Sequence, residues 1–248
     1  MNSISIVIPI YNEKDNILIV LKKIIKSLKK NTFEILIVDD NSNDGSFESY
    51  SKVYKNNKRI KYIIRKEKKR DLSKSCQIGF DNSKYNIILV MDGDLQHDPI
   101  YIEKLNKTLI RTKSDIVIGV RDLKKDKLKI LHHNVIRLFF SKLLIVIINI
   151  VLGFKTSDPM SGYFIFRKDI YLKNKKNLFL KGYKILADLL YNTKGKIIIK
   201  DYLIDFNKRL SGSSKMSYKV LFALIEFIFV TYLRKISLKL CMIKKDKY

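Results

Sequence analysis

Apolar residues along the first part of the chain fall alternately at strand and at helix spacing. Ile4 to Ile10 is a short β-branched run closed by a polar turn. Glu13 to Lys30 then carries Ile17, Leu18, Leu21, Ile24, Ile25 and Leu28 at helical intervals. The pattern recurs, with a strand over Phe33 to Val38, a polar turn over Asn41 to Gly45 and a short helix over Ser46 to Tyr54. A third strand is expected over Arg59 to Ile64 and a helix over Leu72 to Ser83. Tyr85 to Met91 has hardly a polar break, as expected of a central parallel strand covered on both faces. Pro99 opens the next helix, and Ser114 to Gly119 is a fifth strand. Strands alternating with helices predict an α/β chain: a Rossmann-like, mostly parallel sheet flanked by helices. Right-handed crossovers put its ligands at the carboxyl ends of the strands.

Beyond residue 120 the order changes. Ile130 to Leu152 reads as a long helix whose second half, Leu143 to Leu152, is almost wholly apolar, too short to span a bilayer and suited to a buried or interfacial position. Ile197 to Phe206 alternates weakly and predicts a strand. Met216 to Arg234 reads as an apolar helix with one narrow stripe of Lys219, Ala223, Glu226, Val230 and Arg234. Core packing is one explanation of that stripe. The other is partial immersion in a bilayer, and the basic tail Arg234, Lys235, Lys239, Lys244, Lys245 and Lys247, opposed by Asp246 alone, favours it. The expectation is a membrane-associating C-terminal helix, peripheral or shallowly inserted; a full span is disfavoured because Glu226 is costly at mid-depth, but whether 216–234 lies on or crosses the bilayer stays open.

Composition narrows the class. The 248 residues carry 50 Lys+Arg against 24 Asp+Glu, a formal net charge of +26, which excludes an acidic disordered tail. Nine Gly and three Pro argue against linker-rich or collagen-like architecture. Cys76 and Cys241 have neither zinc nor disulfide-framework spacing, which fits a reducing compartment. The first residues lack a basic n-region, so no secretory signal is read and the active part is expected on the cytoplasmic face of a membrane. The positive charge implies attraction to phosphates, or else a compositional excess of solvated lysines.

Candidate chemistry sits where strands end. Asp92-Gly93-Asp94-Leu95-Gln96-His97 follows the most apolar strand, and two carboxylates one residue apart there repel each other unless a cation or a proton intervenes. A hard divalent ion, Mg²⁺ or Mn²⁺, fits such oxygen ligands. The alternative is a polar turn capping the helix near Pro99. Asp39-Asp40-Asn41-Ser42-Asn43-Asp44-Gly45 is similarly either a turn with a cap or a place where Asp39 or Asp40 takes hydrogen bonds from a base or ribose. In Pro9-Ile10-Tyr11-Asn12-Glu13, Tyr11 can stack, and Glu13 can bind a nucleotide or open the helix.

These runs resemble those of inverting family 2 glycosyltransferases of the GT-A fold and, more narrowly, of the dolichol/polyprenol-phosphate mannosyltransferase group. The likeness extends to Arg70-Asp-Leu-Ser-Lys-Ser75 with Gly79, Gly119-Val-Arg121, Asp158-Pro-Met-Ser161-Gly162-Tyr-Phe164, Gly182-Tyr183-Lys184 and Arg209-Leu-Ser-Gly212-Ser-Ser214-Lys215. The resemblance implies a glycosyltransferase domain over 1–212, with a nucleotide-sugar half over 1–120 and an acceptor half over 121–212, and the membrane-associating part over 213–248. It implies that Pro9, Tyr11, Glu13, Asp39, Asp40, Asp92 and Lys215 bind the nucleotide sugar, and that Asp92, Asp94 and Gln96 hold the metal. Asp94, Arg121 and Arg209 carry catalysis, and Arg137 and Ser161 meet the acceptor phosphate. Arg forks suit phosphate oxygens and Lys a mobile point charge. The chain departs from the group where Ser161-Gly162-Tyr163-Phe164 lacks an arginine, where Asp188 stands in place of a glutamate, and where Arg70-Asp71-Leu72 replaces a Gly-Leu loop.

The implied reaction moves a hexose, with GDP-mannose the favoured donor, onto a polyprenyl or dolichyl monophosphate at a membrane surface. A phosphate acceptor needs no general base, whereas a sugar hydroxyl needs one, for which Asp158 is the candidate. Transfer from a UDP-sugar to a polysaccharide is the competing reading. A basic nucleic-acid-binding protein explains the charge but not acids ending three strands, so no nucleic acid is expected. His97 reads as a phosphate contact or a helix-entry residue, His132 and His133 as solvated, Cys76 as core, and Arg65 to Arg70 as a solvated loop, although the resemblance places its tail end in a nucleotide loop.

Overall fold

The computed structural model describes residues 3–29, 31–67, 69–121, 156–182, 185–193 and 197–206, together with Val146, Asn149, Ile150, Gly153 and Glu226. The expected strands form as β1 (Ile4–Ile10), β2 (Phe33–Asp39), β3 (Ile60–Ile64), β4 (Ile87–Val90), β5 (Ile116–Arg121) and, last in the chain, β7 (Ile199–Ile204). Between them run α1 (Lys14–Ser27), α2 (Ser46–Tyr54), α3 (Leu72–Asn82) and α4 (Ile100–Arg111). The fifth strand lies two residues later than its apolar run suggests, which makes Arg121 its last residue. Most of Ile130 to Leu152 and of Met216 to Arg234, and the whole basic tail, lie outside the described residues. Among the described residues no helix is long and apolar enough to cross a membrane.

Four elements escape the sequence pattern: β6 (Phe164–Arg167), the helix α5 that follows it without a break (Lys168–Asn174), a one-turn 3-10 helix (Lys175–Asn177), and α6 (Ile185–Asn192). β6 pairs antiparallel with β4 on one side and β5 on the other, in the seven-strand order β3-β2-β1-β4-β6-β5-β7. The other pairings are parallel. The architecture is therefore mixed α/β around a mostly parallel sheet, with one antiparallel strand, β6, inserted between β4 and β5.

Period-two alternation sorts the sheet's side chains between two apolar layers. Ile4, Ile6, Ile8 and Ile10 of β1 belong to the cluster that includes Ile17, Val20 and Leu21 of α1 and Ile102, Leu105 and Leu109 of α4. Val7, from the same strand, belongs to the opposite cluster with Cys76 and Phe80 of α3 and Leu186 and Leu189 of α6. Cys76 is a core residue, as expected, and burial pushes its thiol well above the ordinary range. Helices on both faces leave only the strand ends for ligands. The strand order departs from β1 in both directions, toward β2 and toward β4, and a crevice opens at such a switch point.

Candidate active site

The three turns at the carboxyl ends of β1, β2 and β4 each contain a residue in the left-handed region: Asn12 (φ 54°), Asn41 (φ 61°) and Leu95 (φ 64°). Asparagine visits that region readily and leucine does so at a cost of about 1–2 kcal/mol. The first two turns are stitched together. The Asn12 N–H donates to Ser42 Oγ at 2.8 Å, the Lys14 N–H to Asp44 Oδ2 at 2.9 Å, and the Asn43 N–H to Asn12 Oδ1 at 3.2 Å. Burial alone raises the Asp44 carboxyl, but hydrogen bonds from Ser46 and the Lys14 amide outweigh it and hold the group below the usual range. Glu13 occupies the N-cap position of α1, where its carboxylate accepts from Asn16 Nδ2 at 2.7 Å. Pro9 is buried within β1, and Tyr11 stands half-buried just past it with the Arg70 guanidinium 4.4 Å above its ring centroid.

Asp39 and Asp40 face inward partners. Asp39 accepts the Ser42 hydroxyl at 2.5 Å with one oxygen and the Tyr62 hydroxyl at 2.6 Å with the other. Burial, reinforced by that carboxylate, pushes the Tyr62 phenol far up. Asp40 accepts from Arg65 Nε at 2.6 Å and pairs also with its Nη2, while its second oxygen takes the Asp71 N–H at 2.7 Å. Arg65 is 2% exposed, so the expectation of a solvated loop over Arg65 to Arg70 is wrong at its first residue. One residue past β3, Arg65 falls beside the acid that lies one residue past β2, and the Arg65 N–H donates to the Asp39 carbonyl at 2.8 Å. The positional match of a base and an acid past adjacent strands was the available signal.

The turn after β4 is built around His97. Its Nδ1 accepts the Asp92 N–H at 3.1 Å and lies 3.7 Å from the Asp92 carboxylate. The ring stacks on Tyr163, with centroids 4.9 Å apart, and meets the Phe206 ring edge-on at 5.1 Å. Arg121 lies over the same Phe206 ring at 4.0 Å. A continuous stack thus joins the Asp92 turn to the cation at the end of β5, and neither His97's place in it nor Phe206 was foreseen from the sequence. The buried Asp94 accepts the Gln96 N–H at 3.1 Å, with Leu95 between them in the left-handed bend.

The Asp158 to Phe164 segment closes the site from the β6 side. Gly162 packs directly beneath Asp92: a Cβ there would stand 2.6 Å from Asp92 Oδ2 and 2.9 Å from Oδ1. Ser161 is buried and gives its hydroxyl proton to the Gly119 carbonyl at 2.7 Å, so it fixes the end of β5. Burial raises the Asp158 carboxyl; the Met160 N–H and the Arg121 charge pull it back, and Asp201 pushes it further up. The structure therefore brings together Tyr11, Glu13, Asp39, Asp40, Asp92, Asp94, Gln96, Arg121 and Ser161 at one edge of the sheet. Arg137, Arg209 and Lys215 lie outside the described residues, as do His132, His133, Tyr183 and Lys184.

Among the described residues there is no group of three or more His, Cys, Asp or Glu side chains able to cage an ion unaided. By residue type, the Asp92 and Asp94 carboxylates and the Gln96 amide would offer a donor set of hard oxygens. That set suits Mg²⁺ or Mn²⁺, which take one or two protein carboxylates and complete the octahedron with substrate phosphates and water.

Comparison with known proteins bears on this geometry. The family model described as Glycosyl transferase family 2 matches residues 5–174. A dolichol-phosphate mannosyltransferase of Pyrococcus furiosus is 32% identical over 228 residues, covering 91% of this chain, which spans 62% of that longer relative. A dolichol-phosphate mannosyltransferase of Saccharomyces cerevisiae is 29% identical over 251 residues, 93% of this chain and 87% of the relative. Glucosyl-3-phosphoglycerate synthase of Mycobacterium tuberculosis, solved with Mn²⁺, uridine diphosphate and phosphoglyceric acid, shares the fold. Its TM-score is 0.68 at 17% identity, over 94% of this chain and 78% of that one. Matched over more than two thirds of its length by that family model, and carrying its acids on the ligand edge of such a sheet, the chain belongs to glycosyl transferase family 2.

Proposed function

We propose that the protein transfers a hexose from a nucleotide sugar to a polyprenyl or dolichyl monophosphate, with GDP-mannose the favoured donor. One observation carries the reading: the Asp92-Asp94-Gln96 turn stands at the switch point between β1 and β4, backed by Gly162 and joined through ring stacking to Arg121. The relatives named dolichol-phosphate mannosyltransferase support the acceptor class.

In this reading Tyr11 and the Asp39–Asp40 turn border the nucleotide, with Pro9 and Glu13 shaping the floor and Lys215 meeting the diphosphate. Asp92, Asp94 and Gln96 would hold Mg²⁺ or Mn²⁺, and a divalent ion there supplies Lewis-acid charge for the diphosphate. The neighbour solved with Mn²⁺ and uridine diphosphate supports divalent-metal use in this fold. An acceptor phosphate oxygen forms the new bond at the anomeric carbon on the face opposite the leaving nucleoside diphosphate, so the configuration inverts. Arg121, held over Phe206, presents its guanidinium to phosphate oxygens as charge redistributes, with Arg137 and Arg209 as further phosphate ligands. Ser161 contributes by fixing the end of β5. A monophosphate with a second pKa near 6 is largely ionised at neutral pH, and no residue has to remove its proton. The isoprenoid chain stays at the membrane, served by the apolar stretch 216–234 and the basic tail on the cytoplasmic face.

The test is a panel of sugar-labelled GDP- and UDP-sugars incubated with polyprenyl phosphate vesicles, with and without Mn²⁺. Label entering the lipid phase from one donor, with metal only, is the expected result. Label passing instead to water-soluble saccharides overturns the acceptor assignment.

A further inference from the structure

The turn Phe179–Gly182, between α5 and α6, is gripped from two sides. Asp188 of α6, 2% exposed, accepts the Phe179 N–H at 3.0 Å with one oxygen and the Leu180 N–H at 2.8 Å with the other. From the opposite side Asp71, at the N-cap of α3, accepts the Gly182 N–H with both oxygens at 3.0 Å. Ser73 closes the grip by donating its N–H, at 3.0 Å, and its hydroxyl, at 2.8 Å, to the Gly182 carbonyl. Leu180 (φ 49°) and Gly182 (φ 79°) both sit in the left-handed region, so the turn reverses sharply between the two carboxylates.

Asp71 does more than end a helix. Its Oδ1 accepts the Ser73 and Lys74 N–H groups at 3.0 and 3.3 Å, a task that Ser or Asn performs nearly as well at an N-cap. Its hold on Gly182 reaches 111 positions along the chain. Its own N–H donates to Asp40, whose other oxygen is held by the buried Arg65. The loop after β3, the acid after β2 and the 179–182 turn are thus one hydrogen-bonded unit. At the tip of that turn, Lys181 Nζ donates to the carboxylate of Glu226, within the apolar stretch 216–234.

We propose that Asp71 is a positioning residue for the lipid acceptor. It sets the 179–182 turn, which falls in the half of the chain read as the acceptor side (121–212), in register with the donor loop and, through Lys181, ties both to Glu226. The identity of that acceptor rests on the function proposed above. The same unit accounts for Asp188, whose carboxylate shapes the turn from inside the protein.

Two substitutions in the full chain separate this role from helix capping. Asp71→Ser keeps a cap for α3 but is too short to reach Gly182. Asp71→Asn keeps Oδ1, the oxygen that all three N–H groups approach. Hydrogen exchange is followed over residues 178–182, and KM is measured for polyprenyl phosphate and for the sugar nucleotide. Losing a hydrogen bond to a charged group corresponds to roughly ten- to a hundredfold. Exchange at Gly182 should accelerate by about that factor in Asp71→Ser, the acceptor KM should rise by about tenfold and the donor KM should stay within about twofold, with Asp71→Asn restoring most of both. Unchanged protection in Asp71→Ser, an unchanged acceptor KM, or donor and acceptor KM rising together overturns the proposal. If the unaltered chain transfers nothing to polyprenyl phosphate, the proposed function fails instead, while the exchange readout still decides whether Asp71 holds the turn.

Discussion

Replacing Gly162 by alanine probes the metal-side geometry without removing a polar group. The new Cβ would stand 2.6 Å from Asp92 Oδ2, 2.9 Å from Oδ1 and 3.0 Å from Cγ. The Asp92 oxygen must retreat by about 0.4 Å to reach the shortest contacts Cβ atoms make, and by about 0.8 Å for ordinary van der Waals contact. Gly162 is not among the glycines with positive φ, so alanine suits its backbone. The atoms that yield are the far end of a side chain 37% exposed, which keeps the stability cost below about 1 kcal/mol. A catalytic constellation tolerates about 0.5 Å of misplacement, and about 1 Å costs roughly a hundredfold. Gly162→Ala should therefore lose about ten- to a hundredfold in kcat and need more Mn²⁺, with its melting temperature nearly unchanged. Initial transfer rates over a Mn²⁺ titration, paired with thermal unfolding, give both quantities. Wild-type kcat and metal dependence in the variant would refute the placement of Asp92 as a ligand, and a collapse in melting temperature would show that the clash falls on the backbone.

Other perturbations separate the remaining assignments. Asp158→Asn should retain transfer to a phosphate acceptor within about tenfold, whereas a sugar-hydroxyl acceptor requiring a base loses roughly a hundredfold or more. Because burial raises Asp158 in the folded state, the folded chain holds that proton to higher pH than the unfolded one, and this group's contribution to stability falls as pH rises through its folded value. Asp158→Asn should therefore gain melting temperature relative to wild type on going from acid to neutral pH; a constant difference across that range contradicts the burial argument. Arg65→Met leaves Asp40 buried without its cation and should cost about 3–5 kcal/mol in urea unfolding. A loss under about 1 kcal/mol would mean the pair is solvated. His97→Phe preserves the ring stack but deletes the acceptor for the Asp92 N–H, and should weaken Mn²⁺ affinity about tenfold by titration.

Much of the scaffold was legible because β1 to β5 obey local rules: apolar runs of strand length, each ended by a polar turn and followed by helical spacing. The crowding of acids onto one edge followed from the same rules, since parallel strands end together. β6 was not legible, because four residues running straight into α5 show no alternation of their own, and their burial comes from β4 and β5 on either side. Arg65 looked solvated because its sequence neighbours are basic, while its partner Asp40 lies 25 positions away. Asp39 and Asp40 were legible as acids at a strand end, but their inward partners Tyr62, Arg65 and Asp71 depend on how β2 and β3 align. The left-handed bend at Leu95 had no sequence signal, since leucine rarely marks one. Its cause is tertiary: the side chain is buried in the core while Asp94 and Gln96 flank it.

The central claim, a divalent ion held by Asp92, Asp94 and Gln96 to bind the donor's diphosphate, is tested most directly by calorimetric titration of nucleoside diphosphate with and without Mn²⁺. The account predicts tight binding by the wild type only when Mn²⁺ is present, and loss of that metal-dependent gain in Asp94→Ala. Equal affinity with and without the ion, or an undiminished gain in Asp94→Ala, would contradict it.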